Sequence, residues 1–325
     1  MPDSVLPAIA TSDGDSGLPA PALAAMRGFV VESLAPATRR AYRVGLDAFR
    51  AWCEAVGAAS MPATPETVAA FLAAEAGLGR SVSTLEQRVA AVRWLHDAAG
   101  VETPTAAKLV RATMAGIRRE LGVAPKRKAP ATVERVLAMA SHADAATRKG
   151  MRDRALLLFG FSSAMRRSEL VALDVADLEQ TDAGLLVTLR RSKTDQEGRG
   201  RVVAVLHGRN VETCPVRALA GWLETAGITA DAIFRRVDRH GNVGEGRMSD
   251  RAVADVVKTH AQRAGLDPRE FAGHSLRAGF VTSAAERGAK TDRIMDVTGH
   301  RSHAMVRTYT RRTDAFADHA GTGLL

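Results

Sequence analysis

Between residues 274 and 309 the chain carries His274-Ser275-Leu276-Arg277, then Gly299-His300, then Tyr309, one of only two tyrosines in 325 residues. Arginine offers a planar fork of N–H donors that matches a phosphate, and histidine can donate to phosphoryl oxygens or exchange protons with them. A tyrosine downstream of such a set is a candidate nucleophile facing a phosphodiester. A free tyrosine phenol has a pKa near 10, so only about one in a thousand is ionised at neutral pH. Neighbouring arginines and histidines would favour the phenolate as it attacks. His274 and Arg277 stand three apart, so on a helix they share a face and can reach one phosphate. The other tyrosine, Tyr42, falls on an apolar helical stripe and reads as core.

Two upstream strings have the same character. Ala164-Met165-Arg166-Arg167-Ser168-Glu169-Leu170 follows an apolar helical segment, and Arg190-Arg191-Ser192-Lys193-Thr194-Asp195 leads into a polar, Gly-containing turn. A metal centre is not indicated. His303 lies one turn beyond His300, but no third histidine or carboxylate follows at ligand spacing.

These residues need two domains to position them, which the length favours. Residues 1–22 are small and polar and read as a disordered tail. Residues 23–121 read as a helical module: Tyr42, Leu46, Phe49, Cys53 and Val56 follow one face, and Val110, Met114, Ile117 and Leu121 another. Thr64-Pro65 reads as a cap followed by a first-turn proline, and Ser83-Thr84-Leu85-Glu86 as a capping box. The result is a four-helix unit. Residues 122–130 hold two prolines around Lys126, Arg127 and Lys128, and read as an extended basic linker.

From residue 131 to 325 the pattern is mixed. Helices are expected up to about residue 164, at 215–226, at 250–264 and from 273 onward, with strands at 185–191 and 201–207 joined by a hairpin tip. A second short hairpin is expected around 233–246. The fold class is thus mainly α with a small antiparallel sheet.

Forty-five Lys and Arg against 36 Asp and Glu give a net charge of +9, which favours a polyanionic partner, with nucleic acid the first choice. Lys126, Arg127 and Lys128 of the linker and Arg190, Arg191, Arg199 and Arg201 of the hairpin are the candidate DNA contacts. Cys53 and Cys214 are the only cysteines and fall in separate domains, so no disulfide framework is available. The longest apolar run, 155–161, is too short to cross a bilayer. A reducing, cytoplasmic setting at the nucleoid is expected.

Taken in order, the strings resemble the tyrosine recombinases, or phage integrase family. Its members share a first arginine in a Gly-Leu-Arg-Ile-Ser-Glu-Leu-like string, a hairpin lysine, a His-x-x-Arg box, a Gly-His pair and a tyrosine about nine residues beyond. The likeness extends from about residue 35 to 316, the helical module resembling the family's core-binding domain.

The resemblance implies that Arg166 and Arg277 are the catalytic arginines, with His274 and His300 beside them. It further implies that Lys193 is the general acid, Glu169 an orienting carboxylate, and Tyr309 the nucleophile of a 3′-phosphotyrosyl link. Arg167 stands where the family often has a hydrophobic residue, and Arg166 and Arg167 both remain able to hold the phosphate. No cofactor is implied. The implied partners are duplex DNA bearing a recombination site and three further copies of the chain, a homotetramer on two sites, with room for accessory proteins. Phe316, Leu324 and Leu325 are candidates for a terminal segment that docks on a neighbour. The rival readings are a type IB topoisomerase, a non-catalytic DNA-binding protein of the same fold, and a metal-dependent nuclease.

Overall fold

In the computed structural model, which describes residues 19–123, 128–190 and 200–310, the chain divides into two units, Met1–Lys126 and Arg127–Leu325. The first is helical. It contains α1 (Ala20–Glu32), α2 (Pro36–Val56), α3 (Pro65–Gly77), α4 (Val82–Ala98) and α5 (Lys108–Leu121). Helix α1 starts inside the stretch read as a disordered tail, because Ala-Leu-Ala-Ala is itself a strong helix former.

Helix α3 begins as expected, with the Thr64 hydroxyl accepting from the Thr67 amide and Pro65 in the first turn. For α4 the cap is Ser81, which accepts from the Thr84 amide; the capping box expected at Ser83 lies inside the helix. Leu46, Phe49 and Cys53 of α2 are buried against Phe71, Leu72, Leu85 and Leu95, each such side chain contributing roughly 1.5–3 kcal/mol when fully buried. Val56 and Leu121, expected on the buried stripes, are exposed, since α2 and α5 run past the core at those ends. Tyr42 is half-buried and its ring lies 6.2 Å from that of Trp94.

The second unit is built on α7. Its helices are α6 (Val133–Ser141), α7 (Arg148–Ser162), α8 (Arg167–Ala172), α9 (Pro215–Ala226), α10 (Asp250–Arg263), α11 (Ser275–Glu286), α12 (Thr291–Thr298) and α13 (His303–Thr310). Strands β1 (Leu178–Thr181), β2 (Gly184–Leu189) and β3 (Arg201–Leu206) form one antiparallel sheet in that order. Strands β4 (Arg235–Val237) and β5 (Val243–Arg247) form a second hairpin. Strand β1 is too short and polar to show an alternation, and only its pairing with β2 defines it.

The run from Ala155 to Phe159 is fully buried, which explains why it shows no amphipathic period. In the main sheet Leu185, Val187 and Leu189 of β2 and Val203 and Val205 of β3 point into the same core. Residues 128–130, the end of the stretch 122–130 read as linker, are bonded to this unit: the Ala129 amide donates to the Glu270 carbonyl at 2.7 Å and Lys128 Nζ to the Arg269 carbonyl at 2.6 Å.

Candidate active site

Glu169 organises the first half of the site. It sits in the first turn of α8, where its Oε2 accepts the Arg166 amide at 2.9 Å and its Oε1 the Arg166 guanidinium at 2.6 Å. Only 3% of Glu169 is exposed, so the carboxylate is a buried brace for Arg166 and supports the start of the helix as well. Arg167 turns the other way. Its side chain is 48% exposed and pairs with Asp250 at 3.2 Å. Backbone direction at the start of α8 therefore separates two arginines that are adjacent in sequence.

Arg277 is in the first turn of α11 and is 1% exposed. Its Nη1 donates to the Ala164 carbonyl at 2.8 Å, and Ala164 holds a left-handed backbone at φ 49 that a non-glycine residue rarely adopts. Nε and Nη2 of Arg277 are buried and have no hydrogen-bond partner among the described residues. Burial, with Arg166 second, lowers its pKa to about 10, against which Glu169 works in the opposite direction. A guanidinium with two unanswered buried donors is suited to an anion.

Tyr309 lies on α13, which packs on α11 and α12 through a small core of Val281, Ile294 and Val306. That packing brings its hydroxyl to 2.7 Å from His274 Nε2, at the start of α11. The His300 ring lies 6.0 Å from the Tyr309 ring and is 6% exposed. Its Nδ1 is 2.8 Å from the Thr298 hydroxyl. Burial first, then Arg277, Arg166, His274 and Arg201, push its pKa down to about 4.

Arg166, Glu169, His274, Arg277, His300 and Tyr309 are thus brought together within a single chain. Arg201, expected to touch DNA from the hairpin, is instead turned inward. Its Nη1 donates to the Val297 carbonyl at 2.9 Å and its Nη2 lies 3.7 Å from Glu169. Burial lowers its pKa, with Glu169 opposing. An arginine opening an alternating strand looks like a solvated charge in sequence; the signal that distinguishes it is Gly299, where a Cβ would stand 3.1 Å from Arg201 Cζ.

Of the other hairpin and linker cations, Arg190 pairs with Asp177 at 2.7 Å and Lys128 is exposed. Lys126, Arg127, Arg191, Lys193 and Arg199 lie outside the described residues, as do Phe316, Leu324 and Leu325. His303 faces Asp292 at 3.2 Å.

Residues 130–315 match the family model described as "Phage integrase family", and residues 29–102 match "Phage integrase, N-terminal SAM-like domain". The chain belongs to the phage integrase family. It is accordingly a site-specific DNA recombinase, an enzyme of strand cleavage and religation. The integrase/recombinase xerD homolog of Selenomonas ruminantium is 38% identical over 292 residues, covering 89% of this chain and 85% of that protein. The recombinase cre of Escherichia phage P1 is 25% identical, covering 82% of this chain and 81% of the relative. In fold, the chain is similar to the XerH site-specific recombinase bound to palindromic difH substrate in a post-cleavage complex. There the TM-score is 0.61 at 16% identity, over 85% of this chain and 78% of the other. No helix among the described residues is long and apolar enough to cross a membrane.

Proposed function

We propose that this integrase-family chain cuts a DNA strand by attack of Tyr309 Oη on a backbone phosphorus. The observation that carries the reading is the 2.7 Å contact between His274 Nε2 and the Tyr309 hydroxyl, beside the unanswered donors of Arg277. His274 takes the phenolic proton as the new P–O bond forms. Arg166 and Arg277 neutralise the non-bridging oxygens, where fixed donors facing developing charge give the largest rate contribution. His300 contacts the same group.

The bond to the 5′ oxygen breaks, and Lys193 supplies the proton which that oxygen needs to leave as a hydroxyl. One phosphodiester has replaced another, so the 5′ hydroxyl of a partner strand can reverse the step without ATP or a metal. Glu169 keeps Arg166 aimed and takes no part in bond making.

Each chain supplies one tyrosine, and exchange between two duplexes cuts four strands. Four copies on two sites, a homotetramer, follow from that count, with accessory proteins available to order the sites. The reaction belongs in the cytoplasm, at the nucleoid.

The test uses duplex DNA recovered from a random-sequence pool by binding to the protein, nicked near its centre so that the adduct accumulates. The wild type should give a covalent protein–DNA band on a denaturing gel, unaffected by chelator. Tyr309→Phe should bind the same DNA and give none. A band from Tyr309→Phe would overturn the assignment, and loss of the wild-type band with chelator would favour a metal-dependent nuclease.

A further inference from the structure

Arg201 opens β3, and strand alternation places it on the same face as Val203 and Val205, which are buried in the core. Its guanidinium is therefore carried inward, to the end of α12. The last carbonyls of a helix have no amide of the same helix to accept from, and they carry the negative end of its dipole. Arg201 Nη1 donates to one of them, the Val297 carbonyl, at 2.9 Å across 96 residues of sequence. Both effects favour a cation at that point.

The guanidinium also lies on the chain just beyond. Gly299 caps α12 at φ 66, and a Cβ on it would stand 3.1 Å from Arg201 Cζ. Val297 and Gly299 are thus held by one side chain, and His300 follows at once. His300 is 6% exposed, and its Nδ1 is 2.8 Å from the hydroxyl of Thr298, which lies inside the same turn. The ring is fixed to the segment that Arg201 clasps, so displacing that segment moves the ring.

The second arm of Arg201 is weaker. Nη2 is 3.7 Å from Glu169 Oε2 and has no hydrogen-bond partner among the described residues. Glu169 is already bonded to the Arg166 amide and guanidinium at 2.9 and 2.6 Å, so the Arg166 brace does not depend on Arg201. An arginine that touched DNA would stand in solvent when free, yet only 22% of this side chain is exposed.

We infer that Arg201 is a positioning residue for His300: by holding the Val297 carbonyl and lying on Gly299, it sets the turn that presents the imidazole to the phosphate. Its effect on rate rests on the functional reading above, in which His300 contacts the scissile phosphate. The holding of the turn is a property of the free protein.

The test combines Arg201→Met, which removes the guanidinium and keeps an unbranched chain, with His300→Gln and the double variant. On saturating nicked duplex, Arg201→Met should form the adduct about 10-fold more slowly in the wild-type background, yet less than about 2-fold more slowly in the His300→Gln background. Its Kd should stay within about 2-fold of wild type, since no phosphate contact is lost. The Gly299 amide donates to the Met295 carbonyl at 2.7 Å. Without DNA, hydrogen exchange at that amide should quicken by about 10-fold in Arg201→Met, while the amides of α7 keep their wild-type rates. If Arg201→Met does not fold, Arg201→Lys, which keeps the charge and gives up the flat guanidinium, takes its place with the same pattern expected.

Equal fold losses in the two backgrounds overturn the proposal, since Arg201 would then act without His300. So does a raised Kd at an unchanged saturated rate, the mark of a DNA contact, and so does unchanged exchange at Gly299. Absence of any wild-type adduct would instead count against Tyr309 as nucleophile, while exchange at Gly299 would still decide whether Arg201 holds the turn.

Discussion

Arg166 and Arg167 carry the same charge on neighbouring residues, yet they occupy different electrostatic settings. Arg166 is braced by the buried Glu169 and lies within the field of Arg277 and His300, whereas Arg167 reaches outward to Asp250. An exposed pair of that kind contributes little, typically under about 1 kcal/mol. Arg166→Ala should therefore slow covalent adduct formation by about 10²–10³-fold, the usual loss for one fixed donor at developing charge, while Arg167→Ala stays within about 3-fold. Quenched-flow measurement of adduct on nicked duplex checks this, and equal losses in the two variants would reject the division of roles. The sequence could name the pair but could not choose between them, because side-chain types and order do not reveal which way a turn faces. The same blindness affected Arg201. Its inward course depends on Gly299, almost a hundred residues later, leaving space for it, and no local pattern carries that information. For His274, Arg277, His300 and Tyr309, residue type and order suggest phosphodiester chemistry, and the family resemblance supplies the individual roles.

At the scale of elements, α11 is the part whose placement matters most, since its first turn holds Arg277. Gly279 lies in contact with the backbone of Ala131: a Cβ there would stand 1.7 Å from the Ala131 carbonyl oxygen. The Ala131 amide also donates to the Ser275 carbonyl at 2.9 Å, so the segment and the helix are fastened along one line. Gly279→Ala must push them apart, at a cost of about 1–3 kcal/mol for an overpacked contact, and should slow adduct formation through Arg277. Gly116, in the middle of α5, meets nothing within 4 Å. Gly116→Ala should raise stability by roughly 0.5–1 kcal/mol, the helix-propensity difference. Denaturant midpoints of the two variants should thus move in opposite directions, and a neutral Gly279→Ala would mean that α11 is not held against Ala131. Helices with a strong period, such as α2 and α5, were legible in the sequence along with the β2–β3 hairpin. Strand β1 was not, since four residues with three polar side chains have no alternation to read, and neither was α1, whose small residues suit a tail as well as a helix.

For the whole molecule, the proposed site predicts that the surplus of nine positive charges and the buried cluster act on DNA by different routes. Exposed cations bind the backbone by displacing counterions, so affinity falls steeply with salt; about 6–10 phosphate contacts lose about 10³–10⁵-fold between 50 and 200 mM. Arg277 and Glu169, at 1% and 3% exposure, lie beneath the surface where salt screens weakly. Affinity and chemistry should therefore separate. With DNA at saturating concentration, the first-order rate of adduct formation should change by no more than about 3-fold over the salt range in which the Kd rises by orders of magnitude. Filter binding gives the Kd and rapid quench the rate, each measured on the same nicked duplex. If the rate at saturation fell in step with affinity, the scissile phosphate would be held by solvent-exposed charges, and the buried cluster around Arg277 could not be its binding site.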